Sequence, residues 1–207
     1  MKRVNEIYPE FIRPEIYFTI SCLNSGEIIE SNKVLIGAEI AAGDEPVDAS
    51  ELSEWLRRIF RLNNDVIYIN INEVIHVKQK NTGKALNLLE TCIHEGAADF
   101  IAEQLLEREI KTPYITYGLA HEEELWNKFK QQMYGVETKG WLYNDKDVPV
   151  AGLGYFMGYI ICKACYNYAE NKTKAIAGIL DLKYGDEKML EELLVKSKYA
   201  YKINNES

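Results

Sequence analysis

One stretch decides the fold, residues 88–109, which read LLETCIHEGAADFIAEQLLERE. Its apolar residues recur at intervals of three and four, so they fall on one side of an α-helix. The members of that side are Leu88, Leu89, Cys92, Ala97, Phe100, Ile101 and Leu105. Gly83 and Pro113 are residue types that interrupt helices, so the pattern predicts a long buried helix from Lys84 to Glu109.

A second stretch, Asn72-Glu73-Val74-Ile75-His76, carries part of a zinc motif. On a helix, positions 72 and 76 share one face, while Glu73 is turned away by about 100°. In gluzincin-type zinc peptidases two His residues at such positions and a Glu on the next helix hold the ion. The 18 residues between His76 and Glu95 match that spacing, but Asn72 stands where the first His would be.

This spacing predicts a role for each residue of a degenerate metal site. His76, Glu95 and Asn72 would surround zinc, and Glu73 would be the general base that activates a metal-bound water. Asp99, one turn beyond Glu95, would hydrogen-bond Asn72 from outside the ligand set, as in thermolysin-like enzymes. Because Asn is a weaker zinc ligand than His, zinc binding is expected to be weak or lost.

Four other side chains bear on this site. His121 is the better substitute ligand, because His94 projects about 100° away from its neighbour Glu95 on the helix. Tyr155 and Tyr159 lie one turn apart, and either could stabilise the oxyanion of a tetrahedral intermediate. Aromatic core packing with a satisfied hydroxyl is the alternative for both tyrosines, and we favour it.

Three segments, residues 88–103, 117–126 and 153–159, resemble a bacterial family of predicted zinc-dependent proteases of unknown function. The resemblance extends from about Glu15 to Tyr199 and implies a zincin-like fold. The sequence departs from that family at Asn72, where members carry His. Members are also commonly longer at the N-terminus, often with an export signal, so the chain is a shortened relative or a fragment.

Two functions of different classes follow. The first is a zinc-dependent metallopeptidase of gluzincin type, weak or inactive, that acts on a peptide or protein substrate. The second is a pseudoenzyme that keeps the zincin fold to bind a peptide or protein partner after losing the metal. The weakness of Asn as a zinc ligand favours the pseudoenzyme, whereas the presence of Glu73 favours the peptidase.

Composition narrows the class of protein. The chain has 207 residues, is 47% hydrophobic and carries a net charge of −8. Its length and hydrophobic content favour one domain over residues 1–207, and its negative charge argues against nucleic acid as a partner. No signal peptide is visible at the start of the sequence, and no apolar stretch in it is long enough to span a membrane. These features predict a cytoplasmic protein, or an exported one if the chain is a truncated fragment. The sequence gives no indication of the oligomeric state.

The cysteines and the periodicity complete the expectations. Four cysteines in a chain of this length indicate reduced thiols, and Cys162 and Cys165 are expected to be small side chains on a buried helix. The fold class is α+β and predominantly helical, with a long antiparallel helix pair packed against a small N-terminal sheet. Strands are expected at 16–22 and 34–41, as a hairpin or as neighbours, and an irregular loop at 134–152. Helices are expected at 50–62, 66–80, 84–109, 121–133, 153–168, 171–182 and 186–196.

Overall fold

The computed structural model describes residues 2–20, 27–30, 32–38, 48, 50–53, 57, 66–142 and 150–200. The chain divides into two compact units. Residues 12–77 form the first, here called the strand unit, and residues 1–11 with 78–207 form the second, here called the helical unit. The prediction of a single domain stays a prediction.

The strand unit contains a three-stranded sheet in the order β1-β3-β2. Its strands are β1 (Glu15–Thr19), β2 (Glu27–Glu30) and β3 (Lys33–Gly37). β1 runs parallel to β3, with Ile16 opposite Val34, and β2 runs antiparallel to β3. The two predicted strands are therefore neighbours, as expected, but β2 lies between them in the chain, so they are parallel and do not form a hairpin.

The helix α2 (Val66–Lys78) follows the sheet in the chain. Its β-branched residues would also suit a strand, yet the segment is helical as predicted. Ile69 joins Val34 and Ile36 of β3 in a buried apolar cluster. Tertiary burial of one helical face therefore outweighs the strand propensity of this segment. The helix predicted at 50–62 lies mostly outside the described residues.

The helical unit is built from seven helices and two short strands in the described residues. They are α1 (Lys2–Ile7), β4 (Lys80–Asn81), α3 (Leu88–Leu106), α4 (Pro113–Ala120), α5 (Glu122–Phe129), α6 (Leu153–Tyr168), α7 (Lys172–Leu180), β5 (Lys183–Tyr184) and α8 (Glu187–Ser197). β4 and β5 pair in parallel. The predicted α+β class with a predominance of helix is confirmed by these elements.

The ends of α3 differ from the prediction for local reasons. Asn87 and Glu90 form a capping box, in which each side chain accepts a hydrogen bond of 2.9 Å from the other residue's backbone N–H. This box makes Leu88 the first helical residue instead of Lys84. At the other end Glu107 adopts the left-handed conformation with φ 53° and stops the helix.

Pro113 begins a helix that the sequence analysis missed. It was taken as the end of the preceding helix, but that helix has already stopped at Leu106. A proline is favoured in the first turn of a helix, because the N–H that it lacks has no partner there. The helix expected at 121–133 is correspondingly shorter, Glu122–Phe129, and part of the predicted loop at 134–152 lies outside the described residues.

α3 and α6 are in backbone contact at two glycines. A Cβ placed on Gly158 would overlap the carbonyl oxygen of Cys92, and one placed on Gly96 would overlap the backbone nitrogen of Tyr159. No side chain fits between the helices at these points. The pair is therefore the structural centre of the helical unit, and its surroundings position the polar groups described next.

Candidate functional site

Three carboxylates on α3 lie inside the helical unit. Glu90, Asp99 and Glu103 are 2%, 1% and 7% exposed. Burial of a carboxylate is costly unless hydrogen bonds or opposite charges compensate it. The partners of each one therefore show what the polar interior of the unit is used for.

Glu103 is the centre of a hydrogen-bonded group with Tyr159 and Lys163 of α6, here called the Glu103 cluster. Tyr159 donates its hydroxyl proton to Glu103 Oε2 at 2.7 Å. Lys163 Nζ donates to Glu103 Oε1 at 3.0 Å and to the Tyr159 hydroxyl at 2.6 Å. The N–H of Ile110 completes the shell of the carboxylate at 3.3 Å. Every group of this cluster thus has a protein partner of suitable polarity.

The environment of Tyr159 keeps its hydroxyl protonated. Burial raises the pKa of Tyr159 far above its usual range, and the hydrogen bond to Glu103 raises it further. Tyr159 was predicted to be either an oxyanion donor or a packed aromatic with a satisfied hydroxyl. Its single proton is directed to Glu103, which is the arrangement that the packing alternative requires.

Asp99 accepts a hydrogen bond from one tyrosine of an aromatic pair. Tyr114 of α4 donates its hydroxyl to Asp99 Oδ2 at 2.8 Å. The ring of Tyr155 lies 5.5 Å from the ring of Tyr114, centroid to centroid. Asp99 is buried, and its predicted role beside a metal ligand stays a prediction. Its predicted contact with Asn72 stays a prediction, since Asn72 belongs to the strand unit.

His94 and Glu95 are closer together than the helical geometry suggested. Successive positions point about 100° apart, yet His94 Nδ1 lies 3.5 Å from Glu95 Oε1. The edge of the His94 ring meets Tyr184 of β5 at a centroid distance of 4.7 Å. Gln79 Nε2 donates to His94 O at 2.6 Å and to the Tyr184 hydroxyl at 3.2 Å. The sequence offered no indication of this four-residue group, because its members come from three separate segments.

His121 lies at the junction of α4 and α5. Its Nδ1 is 2.9 Å from the carbonyl oxygen of Tyr117, and its ring stacks on that tyrosine at 3.9 Å. These local contacts explain its position without a metal. The proposal of His121 as a substitute ligand stays a prediction.

The remaining predicted site residues lie on α2 in the strand unit. Asn72, Glu73 and His76 are all half-buried there, on the helix that their motif predicted. Glu95 and Asp99 lie on α3 in the helical unit. The convergence of His76 with Glu95 on one ion therefore stays a prediction.

Comparison with known protein families assigns the chain. The sequence profile of the family described as Gliding motility protein GldB, a lipoprotein family, matches residues 1–201. The chain belongs to the GldB family. Neither the curated proteins nor the solved structures contain a significant match to it.

Membership of the GldB family corrects two predictions. The assignment to a family of zinc-dependent proteases is wrong. The predicted function, a zinc metallopeptidase or a pseudoenzyme derived from one, is wrong as well, and so are the terms hydrolase and metalloprotease. The segment that carried the resemblance has a structural explanation. Glu90 caps α3, and Gly96 permits contact with α6. Glu73, Tyr155 and Tyr159 were predicted to act in peptide hydrolysis. Because that reaction is no longer assigned to the chain, these predicted catalytic roles have no reaction to which they apply.

The same membership removes support for a cytoplasmic location, since the GldB profile describes lipoproteins. None of the helices in the described ranges is both long and apolar enough to cross a bilayer.

Cys92, Cys162 and Cys165 are free and buried in helices, and burial raises the pKa of the Cys92 and Cys162 thiols well above the usual range. These three cysteines are core side chains, as Cys162 and Cys165 were predicted to be.

Proposed function

We propose that this protein is an exported, lipid-anchored component of a bacterial gliding apparatus, in which it binds other components and does not catalyse a reaction. The observation that carries this proposal is the match of residues 1–201 to the GldB family. The match covers both the strand unit and the helical unit. The proposed role therefore belongs to the whole chain and not to one segment of it.

The polar interior of the helical unit supports a role without catalysis. Glu90 accepts hydrogen bonds from the backbone of Asn87 and of Gly185. Glu103 is bound by Tyr159 and Lys163. In a hydrolase, acids of this kind would face a water-accessible cleft, whereas here they join α3 to the elements around it.

Complementation of a gliding defect tests the role. In a gliding bacterium, the gene of its own GldB-family member is deleted and the present chain is expressed behind that member's export and lipidation segment. We expect colony spreading and single-cell movement to return. The Glu73→Gln variant, which keeps the size of the side chain, should restore gliding equally well. Failure of the parent at normal protein level would refute the motility role, and loss of gliding in Glu73→Gln alone would refute the role without catalysis.

Anchoring needs a separate measurement. The protein expressed from its chromosomal gene is labelled with radioactive palmitate, and the cells are then fractionated. We expect labelled protein in the membrane fraction, and we expect an inhibitor of lipoprotein signal processing to change its mobility on a gel. Unlabelled protein in the soluble fraction would overturn the anchoring and would favour the cytoplasmic expectation.

Two finer expectations remain as proposals. A zincin-like arrangement, with a long helix pair packed against the sheet, is a proposal that an experimental structure would test. Weak zinc binding through His76 and Glu95 is likewise a proposal. It is independent of peptide hydrolysis, and its test is a metal titration.

A further inference from the structure

Strand β1 exposes apolar side chains on both of its faces. Ile16, Tyr17 and Phe18 are 36%, 47% and 56% exposed, and the flanking Ile12 and Ile20 are 78% and 87% exposed. Large apolar side chains that cluster at the surface mark sites of association more often than chance. In the described residues β1 lies at the edge of its sheet, with β3 on one side only.

The backbone of β1 has hydrogen-bonding groups directed to that edge. Glu15 donates its N–H to the carbonyl oxygen of Asn32 at 3.0 Å, so the backbone of Glu15 faces the β3 side. In a parallel ladder alternate residues face the neighbouring strand, so Tyr17 and Thr19 also face β3. Ile16 and Phe18 therefore turn their N–H and C=O groups to the open edge. An edge of this kind is a template for another strand.

We propose that β1 pairs with β1 of a second copy of this chain, antiparallel and about a two-fold axis through Tyr17. Ile16 of each copy then lies opposite Phe18 of the other, and these two residues are the ones with outward backbone groups. The arrangement forms four symmetric hydrogen bonds across the axis. Tyr17 meets its own counterpart in the closely spaced pair that has no hydrogen bonds.

The sequence of β1 is complementary to itself in this register. Ile16 and Phe18 form apolar cross-strand pairs, and Glu15 faces Thr19, so no like charges are opposed. A two-fold interface requires this self-complementarity of one patch, whereas a different partner does not.

The exposed area is also consistent with a second copy. The five apolar side chains of the segment expose on the order of 500 Å² per copy, judged from the 150–250 Å² of a large side chain. Pairing at the strand edge covers only part of this surface, so two copies bury at most about 1,000 Å², which is the area of a weak interface that dissociates on dilution.

The oligomeric state of the purified 207-residue chain is the first test. We expect dimers by sedimentation velocity at concentrations of tens of micromolar, and dissociation to monomers on dilution. Ile16→Lys should weaken dimerisation at least about tenfold, because it replaces both apolar cross-strand pairs with a charge at the interface. Val195→Lys is the matched control, since Val195 is 76% exposed on α8 and lies outside the strand unit. A monomeric parent, or equal effects of the two substitutions, would overturn the proposal.

Disulfide trapping tests the register in a way that does not depend on Ile16→Lys folding. In a Cys22→Ser background, Tyr17→Cys places two thiols across the axis in a pair without hydrogen bonds, whose Cα atoms are about 4.5 Å apart, a distance that a disulfide can span. Ile20→Cys places them six residue steps apart, about 20 Å, so it should not cross-link. We expect a dimer on a non-reducing gel for Tyr17→Cys only. Dimers in solution without this cross-link, or equal cross-linking at both positions, would contradict pairing through β1.

Discussion

Gly158→Ala should be among the most damaging single-methyl additions to this protein. Gly158 lies on α6 where its backbone meets the carbonyl oxygen of Cys92 on α3. The added methyl would occupy the position of that oxygen. The methyl carbon is fixed to one helical backbone and the oxygen belongs to another, so no change of rotamer can separate them and the backbone of one helix has to shift.

The magnitude follows from this geometry. Added atoms in a packed core cost about 1–3 kcal/mol, and a clash between two backbones lies at the upper end of that range or beyond it. In a chain of this size 1 kcal/mol corresponds to about 2–4 °C in Tm. We therefore expect Gly158→Ala to lower the Tm by about 6–12 °C.

Two further glycines provide matched controls for the same substitution. Gly178 lies within α7, and an added Cβ there meets no atom within 4 Å. Alanine should stabilise that helix by about 0.5–1 kcal/mol, because glycine loses more backbone entropy on folding. At Gly154 the added Cβ would lie 2.7 Å from Leu142 Cγ and 2.9 Å from Cys92 Sγ. These are side-chain atoms that can move, so we expect an intermediate loss.

Thermal unfolding gives the Tm and urea unfolding the free energy of unfolding of the four proteins, both followed by circular dichroism at about 222 nm. The expected order of stability is Gly178→Ala, parent, Gly154→Ala and Gly158→Ala. If Gly158→Ala cannot be purified in folded form, the order of the other three still tests the argument. A free energy of unfolding for Gly158→Ala within about 0.5 kcal/mol of the parent would refute the close contact of α3 with α6.

Three other predictions concern polar groups. A double-mutant cycle of Glu103→Gln and Lys163→Met, measured by thermal unfolding, should give a coupling energy of about 1–2 kcal/mol. The value is modest because the two side chains are 3.0 Å apart but only that of Glu103 is shielded from water. A coupling energy near zero would mean that this ion pair adds no stability. The hydrogen bond to Asp181 raises the pKa of Tyr8 to about 12. Because the unfolded tyrosine ionises near pH 10, the stabilisation is present below that pH and is lost between about pH 10 and 12, and Tyr8→Phe should remove this component of the alkaline unfolding curve. Calorimetric titration should show weak or no zinc binding to the parent and tighter binding to Asn72→His; equal weak binding would leave the metal-site prediction without support.

The sequence by itself determined the helices whose apolar faces are continuous. α6 begins at Leu153 and ends at Tyr168, as its pattern predicted, and α3 has the predicted centre. The start of α3 was predicted at Lys84 and is at Leu88; the capping box of Asn87 and Glu90, which sets it, is a local signal that the prediction did not use. Local hydrogen bonds and the burial of one helical face depend on residues that are close together in the chain. A short segment of sequence is therefore enough to predict them.

The missed elements depend on competition between segments. β2 contributes only four residues, and its pairing with β3 instead of β1 leaves no trace in local periodicity. Pro113 suits the end of one helix and the first turn of another equally well. Which of these it adopts is decided by where α3 stops, which is itself set by the left-handed residue Glu107.

Tertiary structure alone decided what the polar residues of α3 do. A Glu near Gly and Ala in a helix reads equally well as a metal ligand or as a buried structural acid, because the sequence does not show its partners. The structure supplies them: Lys163 and Tyr159 for Glu103, and Tyr114 for Asp99. Each partner is 15 to 60 residues away from its carboxylate in the chain, and only folding brings their atoms to hydrogen-bonding distance. The spacing of His76 and Glu95 suggested a reaction, but a spacing fixes the positions of residues along a helix and not the groups that face them.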